Sequence, residues 1–384
     1  MERIPSDRLY FSDFVLKAPQ EISSGTYFED GDLLLSKITP CFENGKQGIA
    51  TKIPKGFGIA TTEVIPIKAI EGVSYLPFLA MYLLDRGVRN SLAGKMEGAT
   101  GRQRLAKSVL KGWIMPFPPL PEQQAIADVL SKIQSAVEVQ DKIVTTLKEL
   151  KAATMAKLFR EGLRSEPLKQ TDIGEIPESW EVVQLGDVAT IRYGLGQPPE
   201  LTADGVPMIR ATDIKRGRVM GNDILRVRRE AIPVSRNPFL KAGDIIVVRS
   251  GAYTGDAAVI TKEWEGAIAG YDLIVTPSEK LDPYFAVNFL LGTIAQSYFR
   301  GQRDRSAQPH INSQQLSDTP VALPPLTEQR SIAHAFKVVN ENIIVSEKKR
   351  DTLKFLFSSM LHLLITGQMR VTALREHGIL SSNK

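Results

Sequence analysis

Cysteine is almost missing from this chain of 384 residues: Cys41 is the only one, which excludes an internal disulfide, a Cys-rich zinc site and a Cys-x-x-Cys redox pair. A reduced, cytoplasmic setting is the expectation that follows. Long apolar runs are missing too. The first thirty residues mix charges and prolines, and no later stretch approaches the roughly 18 apolar residues of a membrane span, so neither a secretion signal nor a transmembrane helix is expected. No Gly-x-x-x-x-Gly-Lys-(Ser/Thr) loop occurs, which removes P-loop nucleotide hydrolysis. The nearest approach to the (Asn/Asp)-Pro-Pro-(Tyr/Phe) motif of an adenine methyltransferase is Asp282-Pro283-Tyr284-Phe285. It lacks the second proline and reads better as a helix start, with Asp282 as cap and proline in the first turn. The histidines, His310, His334, His362 and His377, show no metal-ligand spacing. Neither a catalytic nor a metal site is expected, and an enzyme is the weakest reading.

Positive charge is present, and it is clustered. The formal net charge is +5. Between Arg192 and Arg249 eleven Lys and Arg stand against six Asp and Glu. Lys95, Arg102, Arg104, Lys107 and Lys111 share a stretch with the single acid Glu97, and Arg300, Arg303 and Arg305 form a third group. Such clusters suit phosphate neutralisation with counterion release, although solvated faces would look the same by charge alone.

The decisive feature is an internal repeat. Residues 118–127 read PPLPEQQAIA and residues 324–333 read PPLTEQRSIA, with seven of ten positions identical at an offset of 206. After the first copy an apolar seam steps by four and three through Ile126, Leu130, Ile133, Val137, Gln140, Val144, Leu147, Lys151, Thr154 and Leu158. The same offset gives Ile332, Phe336, Val339, Ile343, Ser346, Arg350, Leu353, Phe357, Met360 and Leu364, with the polar interruption in the same place. Alternating steps of this kind form the seam of a coiled coil, so each helix needs a helical partner, most simply the other. Proline and glutamate in the first turn, and Gly162 and Gly367 at the ends, supply start and stop. Each helix should run roughly 40 residues, about 60 Å. A weaker repeat precedes each: Gly31-Asp32-Leu33-Leu34-Leu35 answers to Gly243-Asp244-Ile245-Ile246-Val247 as a turn into a buried strand, and 98–105 answers to 304–311.

These features, with the phrase TDIGEIPESWEVVQLGDVATIRYG at 171–194, resemble the specificity subunits of Type I restriction-modification systems over nearly the whole chain. The fold class expected is α+β: two globular mixed α/β target-recognition domains separated by two long helices in an antiparallel coiled coil, with an internal pseudo-twofold repeat. The expected order is a first recognition domain at 1–117, a first conserved helix at 118–162, a linker at 163–176, a second recognition domain at 177–323, a second helix at 324–368 and a tail at 369–384. The first domain has no counterpart of roughly 177–212 and reads as shortened at its N-terminus. The resemblance implies a non-catalytic DNA reader. Each domain takes one half of a bipartite double-stranded target, and the helix pair sets the spacer and docks two methyltransferase subunits. Restriction and translocase subunits join for cleavage. This chain would bind no cofactor, AdoMet, ATP and Mg belonging to those partners.

Base-edge readers need forked cations or amides on loops. The candidates in the first domain are Lys37, Lys95, Thr100, Arg102, Gln103 and Arg104. In the second they are Arg192, Tyr193, Arg210, Arg249, Ser250, Arg303, Arg305 and Gln308. Any one arginine among them could equally be a phosphate contact, and Tyr193 and Tyr271, beside strands, could equally be core. A stand-alone DNA-binding regulator of the same architecture is the alternative, and co-purification with a methyltransferase separates the two.

Overall fold

The computed structural model describes residues 1–376 apart from 100, 216, 222, 234, 236 and 304–309, and for 303 and 374–376 the backbone alone. The chain divides into two compact units, Met1–Val144 with Val345–Lys384, and Thr145–Ile344. Each unit therefore holds one mixed α/β domain together with half of each long helix. Among the described residues no helix is long and apolar enough to cross a membrane.

In the first unit a four-stranded sheet runs in the order Tyr10–Phe11, Gln47–Ala50, Leu33–Ser36, Val64–Ile67. Alternation along the central strand divides the core. Leu33 and Leu35 pack with Phe42, Phe78, Met81 and Leu92, and with Ile126, Leu130, Leu361 and Leu364 of the long helices. Leu34 points the other way, to Ile4, Phe11, Phe28 and Val64. Arg89 is buried among these, its Nε donating to the Leu83 carbonyl at 2.8 Å and its guanidinium lying 4.9 Å from the Phe42 ring centre. Burial lowers its pKa to about 10.

The second unit repeats the plan. Its sheet runs Ala189–Tyr193, Leu273–Pro277, Ile245–Val247, Ala257–Val259, with antiparallel pairing throughout. Ile245 and Val247 face a core of Trp180, Phe285, Phe289 and Phe299, to which the long helices contribute Phe159 and Phe336, while Ile246 faces a second cluster with Ile209 and Leu240. The turn into the central strand is the same in both units. Gly31 and Gly243 share φ +93°, a conformation that favours glycine. Asp32 accepts from the Glu29 amide at 2.8 Å, as Asp244 does from the Lys241 amide at 2.9 Å. Asp282 caps the helix Pro283–Leu290 by accepting from the Tyr284 and Phe285 amides, the cap role expected for it.

The long helices are Leu120–Glu161 and Leu326–Ile365. Within each unit their halves run antiparallel. In the first, Asp141 of the first helix meets Arg350 and Lys354 of the second at 3.7 and 3.1 Å; in the second, Phe159 and Phe336 ring centres lie 5.6 Å apart. The seam residues Ile126, Leu130, Val144, Ile332, Phe336 and Ile343 are buried, and Ile133, Val137, Leu147, Val339, Leu353 and Phe357 are half-buried. Gln140 is buried as well.

Conserved geometry explains the repeated Glu-Gln of the helix starts. Gln123 donates to the Val73 and Pro118 carbonyls and accepts from the Tyr75 amide. Gln329 donates to the Lys280 and Pro324 carbonyls and accepts from the Asp282 amide. Each glutamine thus satisfies the main chain where a long helix leaves its domain, a place where unpaired groups would be costly. The preceding glutamates reach the chain just past the end of the other long helix: Glu122 pairs with Arg370 at 2.5 Å, and Glu328 with Arg164 at 3.4 Å while accepting from the Leu163 amide.

Two stretches differ from the expectation. Within 163–176, read as a linker, Leu168–Thr171 pairs with Gly174–Pro177 as a hairpin, and within the tail a helix covers Val371–Glu376 with Val371 buried. Strands of four residues carrying exposed polar side chains leave little mark on hydropathy. The strand Pro320–Leu323 pairs with Glu181–Gln184. Its sequence counterpart, residues 114–117, forms no strand in the first unit, and Ile114 is 93% exposed.

Candidate nucleic-acid interface

In the second unit the central strand ends at Val247, and the chain continues through Val248 into Arg249, Ser250 and Gly251. Arg249 is held by its main chain on both sides: its amide donates to Asp272 Oδ1 at 3.2 Å, and its carbonyl accepts from the Ile311 amide at 2.8 Å. Its guanidinium lies against two rings, 4.3 Å from the Tyr271 centre and 5.0 Å from that of Tyr193. Nη2 is 3.3 Å from His310 Nε2, and Nε has no hydrogen-bond partner among the described residues. Ser250 and His310 form a β-bridge, and Tyr193 Oη accepts from the Ser313 amide at 3.1 Å.

Asp272 is the hub. Its carboxylate takes the amides of Arg249 and Ala211, and its carbonyl takes the Gly194 amide at 2.9 Å. Three loops, around residues 194, 211 and 249, therefore meet at one residue. Burial is the main cause that raises the Asp272 pKa, to about 6, against the two amides and Arg249, which lower it. At Gly194 the chains come so close that a Cβ would lie 2.3 Å from the Gly270 carbonyl oxygen. Burial first, then the Arg249 cation, lowers the His310 pKa, which favours the neutral imidazole whose Nε2 can accept from Arg249.

The first unit carries the same ladder with different side chains. Lys37 stands where Arg249 stands: it follows the central strand, and its carbonyl accepts from the Leu105 amide at 2.8 Å, as that of Arg249 does from Ile311. The Thr39 amide donates to the Gln103 carbonyl at 3.0 Å, so Lys37, Arg102, Gln103 and Arg104 share one corner. Arg104 occupies the place of His310 and forks onto Glu63 at 2.8 to 3.0 Å, which lowers the Glu63 pKa. Lys95 lies apart, 5.7 Å from the Trp113 ring centre.

The remaining candidates divide. Arg192 turns inward, donating to the Phe239 carbonyl at 3.0 Å and to Asp244 Oδ2 at 2.9 Å, where it supplies the counter-charge a buried carboxylate requires. Arg210 forks onto Asp213 at 2.8 and 2.9 Å, beside the Asp272 hub. Thr100, Arg305 and Gln308 lie outside the described residues, as do Arg216 and Arg236 of the basic stretch; Arg303 ends the helix Thr293–Arg303. Tyr193 and Tyr271 are 37% and 49% exposed, so neither is core. His310 and Asp272 were missed by sequence reasoning. His310 had a usable signal, being the counterpart of Arg104 at the repeat offset; Asp272 had none. Both corners offer cations and hydrogen-bond donors, and that of the second unit aromatic faces as well, the equipment for holding a polyanion and probing base edges.

A profile described as the Type I restriction modification DNA specificity domain matches residues 10–150 and again 177–354. The chain is 26% identical to the Type I restriction enzyme MjaVIII specificity subunit of Methanocaldococcus jannaschii over 295 residues, covering 74% of this chain and 68% of that one. It is 27% identical to the putative type I restriction enzyme MjaX specificity subunit of the same organism over 349 residues, 89% of this chain and 79% of the other. In fold it resembles the crystal structure of a Type I restriction-modification system S subunit from M. genitalium, with a TM-score of 0.58 and 15% identity over 95% of this chain and 90% of that one.

Proposed function

The chain belongs to the Type I restriction modification DNA specificity family, and from that premise we propose that it is the reading subunit of a restriction-modification complex, each unit recognising one half of a bipartite double-stranded DNA target. The observation that carries this reading is the duplicated corner: a strand end bearing a cation, laddered to a second polar segment, occurs once per unit, at Arg249 and at Lys37. Two readers with different side chains would take two different half-sites. In this proposal the long helices set the spacer between half-sites and dock two methyltransferase subunits, with restriction and translocase subunits joining for cleavage. The chain then carries no chemical step, and AdoMet, ATP and Mg sit on those cytoplasmic partners. Methylation mapping of the host genome, with and without this gene, tests it. A bipartite methylated motif should vanish when the gene is removed; a pattern that survives its removal refutes the assignment. The alternative, a regulator acting alone, predicts that no methyltransferase co-purifies.

A further inference from the structure

Three arginines of the second unit's basic stretch already have an anionic partner. Arg192 is bound to Asp244, Arg210 to Asp213 and Arg228 to Glu200. Arg249 is different: the carboxylate beside it, Asp272, is engaged with main-chain amides, and the only side-chain acceptor within hydrogen-bond distance of its guanidinium among the described residues is the neutral ring of His310. Two tyrosine rings lie against that guanidinium, at 4.3 and 5.0 Å, and Gly251 follows at φ +86°. A guanidinium held against two rings and a hydrogen-bonded imidazole loses freedom to swing and gains the alignment that a two-pronged hydrogen bond needs. In the major groove the base edge that accepts such a fork is guanine, through O6 and N7.

We propose that Arg249, packed against Tyr193 and Tyr271 and backed by His310, reads a guanine in the half-site taken by the second unit. Arg249 is the specificity-determining residue; His310 is a positioning residue, acting by accepting from Nη2 and so setting the rotation of the fork. The first unit has Lys37 in the equivalent place, which lacks the fork, so its half-site is read by other means.

The inference rests on the proposed function, and one experiment separates the two. The full-length chain in its methyltransferase complex is used to select bound molecules from a pool of randomised DNA duplexes, as wild type and as R249A, R249K, H310A and H310Q. The wild type should recover a bipartite motif with an invariant G·C pair in one half. R249A and R249K should lose discrimination at that pair by about 10- to 100-fold, leaving the other half-site unchanged, with R249K retaining general affinity because it keeps the charge. H310A should lose part of the same preference and H310Q, which keeps an acceptor, should restore it. Equal weakening on all sequences in R249A, or full guanine preference in R249K, overturns the guanine reading while leaving the bipartite motif intact. Unchanged preference in H310A overturns the positioning role. A wild type that selects no bipartite motif overturns the proposed function itself.

Discussion

Asp272 shows how much one residue can be asked to hold. It ties three loops together through their amides, and burial moves its pKa from 3.8 to about 6. The folded state therefore keeps this proton more tightly than the unfolded chain. As pH rises from about 4 to about 6 the unfolded form has released the proton while the folded form still binds it, so this group's contribution to stability falls across that window and its cost is complete above it. Thermal melting of wild type against D272N should show the wild type losing ground to the variant between pH 4 and 7. Parallel pH profiles would mean that the carboxylate is ionised throughout. Arg192 teaches the opposite lesson. Its sequence position, in a basic stretch after an apolar run, marks it as a reader, yet its partner Asp244 lies 52 residues away in the chain, and no local pattern connects them. Arg249, the proposed reader, follows a buried strand that repeats in both halves of the sequence.

Among the elements the long helices were the most legible, because a repeat offset and a heptad seam are both properties of spacing alone. Even the buried Gln140 falls where the interruption of the seam put it. The seam reading departs from the structure at the end of the first helix. There it selects Leu158, which is half-buried, while the structure buries its neighbour Phe159 against Phe285, Phe289 and Phe336. At that point the domain core, together with the partner helix, decides which face turns inward, and the heptad rule has no knowledge of that core. Phe336→Ala should accordingly cost about 3–5 kcal/mol in denaturant unfolding of the chain. Gln329→Ala, which leaves the Lys280 and Pro324 carbonyls and the Asp282 amide without their partner, should cost about 1–3 kcal/mol. Near-zero loss in Gln329→Ala would mean that water replaces the glutamine. The hairpin inside 163–176 escaped notice for a different reason: two four-residue strands bury too little to outweigh the polar residues around them.

For the whole molecule the proposed role of the helices is metrical. Inserting two heptads in register into both should lengthen the tolerated spacer between half-sites by up to about six base pairs, since fourteen residues add about 21 Å of helix and a base pair about 3.4 Å. Both half-site sequences should stay as they were, which the same methylation mapping would read directly; an unaltered spacer would remove the helices from that role. The Asp272 hub carries a last consequence. It grips its neighbours by peptide amides, those of residues 211 and 249, and by a carbonyl to residue 194. Any non-proline amino acid offers the same amide, so the anchorage is indifferent to which side chain stands at position 249. Mutation can then rewrite the letters this surface prefers while the surface itself persists, and a lineage facing new invaders could change its vocabulary without rebuilding its protein.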